Sequence, residues 1–405
     1  MDLKSGYPFW AVKNGLMHAF PKLGADLQCD VAIIGAGITG ALIADELAAH
    51  GHEVAVLDQR DVAWGSTCAS TALLQYEIDT HMTELADRYG EADAAKAYLA
   101  CRRAIDELEH KARDIGNVDF ANMHSLYYAS RSRDKKSLRE EFELRRKHGL
   151  EMRWLDENDV DSEFGFKAPC AILSERAARI DPYRMTYRLL QRLQRQGSAI
   201  HDRTSIAHIV ATSRGVELET TEGHRIKAGH LVMAAGYASQ AFLDASVARN
   251  RSSYAFITDP IDTSTLGKLS DTMMWESARP YLYMRTTGDN RLLIGGEDDS
   301  IDIPAKRDAR VNAKARTLAR KVNKLFPHLD VVPAFAWAGT FAETPDGLPW
   351  FGAHKQHGPR VLFAMAYGGN GITYSQIGSE VLRAGIERRR HPLSALFGFG
   401  RLARS

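Results

Sequence analysis

Cysteine is scarce in this 405-residue chain: Cys29, Cys68, Cys101 and Cys170 are the only four, and no pair has the close spacing of a zinc or iron–sulfur site. So few cysteines in so long a chain exclude a disulfide framework as the source of stability and point to a reduced, cytoplasmic setting. Long apolar runs are missing as well. Runs such as Leu231-Val232-Met233-Ala234-Ala235 have the length of a buried strand and fall short of the roughly 18 residues of a membrane span. Met1 to Pro21 is interrupted by Asp2, Lys4, Lys13 and His18, which leaves no unbroken apolar stretch for a secretory signal. Neither sign of charge is in excess: 52 Lys and Arg against 51 Asp and Glu leave +1. That balance gives no electrostatic reason to expect nucleic acid or an anionic membrane as partner. No repeat or low-complexity linker divides the chain. What remains is the composition of a folded globular protein, 44% hydrophobic and 25% charged, long enough for two or three domains.

The first strong signal lies near the N-terminus. Asp30-Val31-Ala32-Ile33-Ile34 reads as a parallel strand buried on both faces. It runs into Gly35-Ala36-Gly37-Ile38-Thr39-Gly40, and residues 41–49 follow with helical spacing of apolar residues. Residues 53–57 form a second apolar strand that ends at Asp58. The glycine pattern after a strand, opening a helix, with an acidic residue after the next strand, is a dinucleotide-binding unit. Gly35 permits the tight turn, Gly37 lets backbone approach a pyrophosphate, Gly40 allows helix and strand to pack closely, and Asp58 suits ribose hydroxyls. NAD and FAD fit this unit equally.

Further along, residues 82–115 read as one helix and 131–148 as a charged helix with a solvated, ion-paired face. Residues 205–210, 215–219, 225–227 and 231–235 read as separate strands, and 281–296 as a hairpin turning at Thr287-Gly288-Asp289-Asn290. Residues 309–325 form a basic helix, 335–352 a structured loop rich in Gly, Pro and aromatics, 360–365 a strand and 373–387 the last helix.

Taken in order, these motifs resemble the FAD-dependent oxidoreductases of the D-amino-acid oxidase superfamily, which includes D-amino-acid dehydrogenases, glycine and sarcosine oxidases and γ-glutamylputrescine oxidoreductases. The resemblance extends over residues 28–390. It rests on the glycine unit with Asp58, on Gly65-Ser66-Thr67-Cys68-Ala69-Ser70-Thr71, on Arg179-Ile180-Asp181-Pro182 and on Thr204-Ser205-Ile206. It continues through Leu231 to Gly236, Ala336-Trp337-Ala338-Gly339, Thr344-Pro345-Asp346-Gly347-Leu348-Pro349 and Tyr367-Gly368-Gly369-Asn370-Gly371-Ile372-Thr373.

The resemblance implies an α/β fold. A Rossmann-like FAD-binding domain from 1–80, 165–242 and 335–405 would interleave with an α+β substrate domain, an antiparallel sheet plus helices, from 81–164 and 243–334. It implies FAD contacts at Gly35, Ala36, Gly37, Ile38, Thr39, Gly40, Asp58, Gln59 and Arg60. Others are expected at Gly65, Ser66, Thr67, Ser70, Thr71, Ala72 and Leu73, at Ile206, Ala235 and Gly236, and at Gly339 and Asp346. Gly368, Gly369, Asn370, Gly371, Ile372 and Thr373 would face the flavin from the start of the last helix, whose dipole would stabilise negative charge on the reduced ring. Relatives that tether flavin do so through a cysteine falling near Gly339 or a histidine in the small-residue loop; neither stands here, so the flavin is expected to be non-covalent. Sarcosine oxidases carry an oxygen-activating lysine at the hairpin stretch Leu292-Leu293-Ile294-Gly295, where this chain has none. That favours a dehydrogenase over an oxidase.

The implied reaction is hydride transfer from a primary or secondary amine, an amino acid or related molecule, giving an imine that hydrolyses. Electrons would pass to a quinone, a carrier protein or oxygen. A hydroxy-acid or polyol-phosphate dehydrogenase and a tRNA-base-modifying module are the alternatives. Strand alternation puts Tyr281, Tyr283 and Arg285 on one face, a candidate carboxylate clamp with an aromatic wall; an exposed strand face with Arg285 stacked on tyrosine competes with it. Tyr254 is a further candidate. Gln75-Tyr76-Glu77 could edge the pocket, although Glu77 reads better as an internal pairing residue. His81 and His124 read as ordinary histidines, and Leu396-Phe397-Gly398-Phe399 as a segment that docks on the body or on a partner. No metal site is expected.

Overall fold

A computed structural model describes residues 2–403 and contains two large sheets. The apolar strands build the first. Leu27–Ile34 lies parallel between Val54–Leu57 and Arg225–Met233, with Ile33 level with Val56 and Val232. Val361–Met365 extends the sheet in parallel, and Trp350–Ala353 closes that edge in antiparallel. Ile38–Ala49 covers this sheet, flanked by Pro182–Arg195 and Gly371–Ile386. The helices bury Leu42, Leu47, Leu190 and Ile377, and the strands Ile33 and Val56, in one core. A continuous apolar run can be a strand here because both faces are covered.

The second sheet is mixed and nine-stranded. Next to its edge strand Phe335–Glu343 lies Arg249–Pro260, paired antiparallel with that strand on one side and with Arg291–Asp299 on the other. Leu73–Gln75, Cys170–Arg179 and Phe335–Glu343 all belong to it. These strands come from stretches expected on the cofactor side, so the chain crosses between the sheets inside the boundaries drawn from sequence. Val311–Leu325 packs Leu318 and Val322 against Met274, Met284 and Ile294 of this sheet. Among the described residues, no helix is long and apolar enough to cross a membrane.

Several element expectations are corrected. Residues 82–115 form two helices, Met82–Tyr89 and Glu91–Ile115, because Gly90 takes φ +86° and turns the chain. The strands expected at 225–227 and 231–235 are one strand, Arg225–Met233. The structured loop at 335–352 contains Phe335–Glu343 and Trp350–Ala353, whose aromatics pack against paired strands. The charged helix Lys135–Lys147 is not solvated throughout, since Glu141 and Arg145 form a fully buried pair at 2.7 Å. The segment 396–399 docks on the body: Phe397 is buried and Phe399 stacks on Trp350.

Candidate functional site

A single cavity of about 860 Å³ runs from the carboxyl ends of the first sheet to the face of the second. That placement is where open α/β sheets bind ligands. The end against the first sheet is made largely of backbone. Gly35, Gly37, Ile38 and Thr39 line it where the helix Ile38–Ala49 begins, and the N–H of Ile38 donates to Thr67 Oγ1 at 3.0 Å. Gly40 does not reach the cavity. A Cβ there would lie 1.8 Å from the Gly35 carbonyl oxygen, so its missing side chain lets helix and turn pack.

Asp58 lines the same end, with Oδ1 accepting the Arg60 N–H at 2.9 Å and Oδ2 the Ala36 N–H at 2.8 Å. Burial pushes its carboxyl above the usual range, and the two N–H donors act against that shift. Ala36 thus works from behind, orienting Asp58. Gln59 and Arg60 reach the cavity, and among the described residues the buried Arg60 Nε has no hydrogen-bond partner. Gly65, Ser66, Thr67, Ser70, Thr71, Ala72 and Leu73 continue the wall, with Ile206, Ala235 and Gly236 opposite. At the far side come Gly339 and the turn Gly368, Gly369, Asn370, Gly371 and Ile372 that opens Gly371–Ile386. Asn370 Nδ2 donates to the carbonyls of Gln75 and Glu77, tying this helix start to the wall.

The residues present fit an elongated dinucleotide. The glycine packing brings two helix N-termini to one cavity, the carboxylate of Asp58 keeps acceptor capacity for hydroxyls, and the unpartnered guanidinium nitrogen of Arg60 suits an anionic or polar ligand atom.

The other end is made of side chains. Trp275, Tyr281, Tyr283 and Trp337 wall it, together with Asp79, Asp298 and Glu343. Tyr254 also lines it, but its hydroxyl donates to Asp299 Oδ2 at 3.0 Å. The expectation for Arg285 is corrected. Its guanidinium is fully buried and donates to the carbonyls of Thr71 at 2.7 Å, Thr286 at 3.0 Å and Ile180 at 3.0 Å. Each of its three nitrogens donates to a backbone carbonyl, it lies over the Trp10 ring, and it does not line the cavity. Arg279 does, exposed at the mouth with its guanidinium carbon 3.5 Å from the centroid of the Tyr281 ring.

Two further expectations fail for the same reason. Asp346 is buried away from the cavity, accepting from Tyr89 Oη at 2.7 Å and pairing with Arg401 at 2.8 Å. Thr373, the residue after Ile372, is buried behind the cavity wall with its hydroxyl toward the Gln75 carbonyl. Gln75 lines the cavity, whereas Glu77 lies in the interior beside Ser174 and is held above the usual carboxylate range by burial. His81 is also off the cavity, with Nε2 3.0 Å from Tyr127 Oη; burial holds the imidazole below its ordinary range.

Sequence reasoning missed Asp79, Trp275, Arg279, Asp298 and Glu343. Asp79 sits two positions beyond Glu77, in an irregular stretch where no periodicity assigns a face. Asp298 and Glu343 flank the strand Arg249–Pro260, an element that sequence reasoning did not identify. Burial raises the Asp298 carboxyl to about 6, and the neighbouring Asp79 charge adds to the rise; Asp79 itself is raised, first by burial.

Fold and cavity together define a dinucleotide-dependent enzyme class. Residues 30–384 match the family described as FAD dependent oxidoreductase, and the chain belongs to that family. It is similar to a Bacillus subtilis (strain 168) protein described as a Rieske 2Fe-2S iron-sulfur protein, 23% identical over 400 residues, 96% of this chain and 74% of that protein. It is 23% identical over 396 residues to the gamma-glutamylputrescine oxidoreductase of Escherichia coli (strain K12), 94% of this chain and 89% of that one. The crystal structure of glycine oxidase from Geobacillus kaustophilus superposes with a TM-score of 0.76 at 20% identity, over 92% of this chain and 98% of that one. The cofactor is FAD.

Proposed function

We propose that this chain oxidises a primary or secondary amine, an amino acid or related amine, working as a dehydrogenase rather than an oxidase. The observation that carries the reading is the pairing of an aromatic wall with Asp79, Asp298 and Glu343 at the end of the cavity remote from Asp58. Carboxylates receive an ammonium, and aromatic faces hold the carbon chain beside it.

Bound FAD supplies a two-electron acceptor for hydride. The amine must react in its neutral form: the C–H bond breaks, its electron pair leaves with the hydrogen, and the nitrogen lone pair forms the C=N bond. Water then converts the imine to a carbonyl compound and ammonia or an amine. The protein's part is to orient the amine, let its ammonium proton pass to solvent as it enters, and exclude bulk water from the reacting carbon.

In this reading Gly35, Gly37 and the loop Gly65–Thr71 hold the pyrophosphate, and Asp58 the adenosine ribose. Ile206 and its neighbours face the adenine, and Gly371–Ile386 presents its N-terminus to the flavin. The first sheet serves the cofactor and the second the substrate. Among the described residues no lysine lines the cavity, which supports the dehydrogenase reading. The iron–sulfur description of the Bacillus subtilis relative supports a carrier as electron acceptor.

The test is the visible spectrum of the oxygen-free flavoprotein while pools of D-amino acids, L-amino acids, N-methyl amino acids and polyamines are added. Bleaching by one pool, with ammonia or amine released, supports the proposal. Bleaching only by hydroxy acids overturns it.

A further inference from the structure

The substrate end of the cavity holds more negative charge than a simple amine or amino acid needs. Asp79, Asp298 and Glu343 reach it from three separate segments. Asp79 Oδ2 accepts the Gly369 N–H at 3.0 Å, and Glu343 is paired with Arg251. Among the described residues, Asp298 Oδ1 is buried without a hydrogen-bond partner, and the Ser253 hydroxyl is a neighbour that favours the ionised carboxyl. A buried carboxylate oxygen without a donor is an unfavourable arrangement that proteins seldom keep without a use. Among the described residues, the one cation lining this end is Arg279, which is exposed at the mouth and lies over Tyr281.

The balance of charge is informative. With all three carboxylates ionised, as they are above pH 7 once a cation is bound, Arg251 and Arg279 leave one negative charge unmet. The nitrogen that is oxidised reacts unprotonated, so a monoamine enters the reacting state neutral and an amino acid enters it negative. Neither supplies the missing charge. A molecule with a second, permanently protonated nitrogen supplies one positive charge and a donor for Asp298. Trp275, stacked on Tyr127, and Tyr283 both line this end, and aromatic rings favour the same sign.

We infer that Asp298, with Asp79 and Glu343, forms a subsite for a second cationic group, so that the substrate is a diamine or polyamine oxidised at one nitrogen and held by the other. This rests on the amine-oxidation reading above and narrows it.

The test uses the oxygen-free holoenzyme at pH 7.5, followed by rapid-reaction absorbance of the flavin. The probes are unbranched diamines of three to six carbons, the matched monoamines, the matched ω-amino acids and a set of α-amino acids. At least one diamine should show a Kd tenfold or more below its monoamine, with the ω-amino acid weaker still. Asp298→Asn should bring the diamine-to-monoamine ratio close to one. Where Asp298→Asn does not retain flavin, Glu343→Gln should still reduce the ratio, and the wild-type series decides by itself. Equal or tighter binding of the monoamines, or flavin reduction by α-amino acids alone, overturns the subsite and leaves amine oxidation standing. Reduction by hydroxy acids and by no amine overturns both.

Discussion

The two ends of the cavity are built on different principles. At the cofactor end the ligand-facing groups are mainly backbone: glycine turns, two helix N-termini, and a carboxylate oriented by the N–H groups of Ala36 and Arg60. At the substrate end they are side chains delivered by five separate segments, with the Asp79 and Asp298 carboxyls raised by burial and, among the described residues, one oxygen left without a donor. A backbone-built site has little freedom to vary, because its geometry is the fold's own geometry. A side-chain-built site can be re-chosen residue by residue on the same frame, which is how one fold serves many substrates. The cofactor end therefore carries the family likeness and the substrate end the individuality.

The sharpest way to break that comparison is Gly40→Ala. The added Cβ would meet the Gly35 carbonyl oxygen at 1.8 Å, and backbone on both sides prevents relief by a side-chain rotation. Overpacking of this kind costs about 3 kcal/mol or more, about a hundredfold in FAD affinity. The purified variant should be colourless, and fluorescence titration with FAD should show the loss. Retention of wild-type flavin content would mean that the glycine turn is not what holds the cofactor end in shape.

A pair of arginine variants tests where the boundary between framework and site runs. Arg285→Ala strands the carbonyls of Thr71, Thr286 and Ile180, a loss of about 3–5 kcal/mol that denaturation should register. Arg279→Ala removes an exposed group and should leave stability within about 0.5 kcal/mol. It should weaken amino-acid binding and tighten diamine binding. A stable Arg285→Ala with altered substrate binding would reverse the two assignments.

Those arginines also show how far sequence can be read. The glycine unit was legible because its residues answer backbone requirements that few other residues meet, and Asp58 was legible because the βαβ geometry places it. Alternation selected Tyr281, Tyr283 and Arg285 as one face of a strand. It could not say how far the cavity extends along that face, and Arg285 passes beyond it beneath Thr71 and Ile180. Asp298 and Glu343 were illegible because they meet only across Arg249–Pro260, a pairing of strands distant in the chain. Asp346 looked like a cofactor residue by its motif. In the fold it is the anchor for a tail more than fifty residues away, through Arg401.

Asp346→Asn sharpens the comparison by touching neither end. Arg401 is almost fully buried, stacked over Trp350 at 3.6 Å, and would lose its charge partner. Breaking a buried pair costs about 3 kcal/mol. Thermal stability should fall while the flavin spectrum and substrate dissociation constants stay as in the wild type. A changed flavin spectrum would return Asp346 to the cofactor site.

The smallest effect expected is also the most specific to the substrate end. Asp298 ionises near pH 6, and the groups facing it are Asp79 and Glu343, with Arg279 at the mouth and the neutral Tyr283 and Ser253 on the adjoining strands. Tetramethylammonium carries a fixed charge, so only protein groups titrate when its binding is followed through the flavin absorbance. As pH falls from 7 to 5 the Asp298 carboxylate is neutralised, and affinity should drop about tenfold, the ratio expected for one controlling group of that pKa. Stability should move the other way. A carboxyl raised on folding holds more protons in the folded state than in the unfolded one between about pH 4 and 6. For Asp298 taken alone, the ligand-free protein therefore gains stability as pH falls through 6. Asp298→Asn should flatten both trends. A flat wild-type binding profile would mean that the charge at this end is set by Asp79 and Glu343 instead.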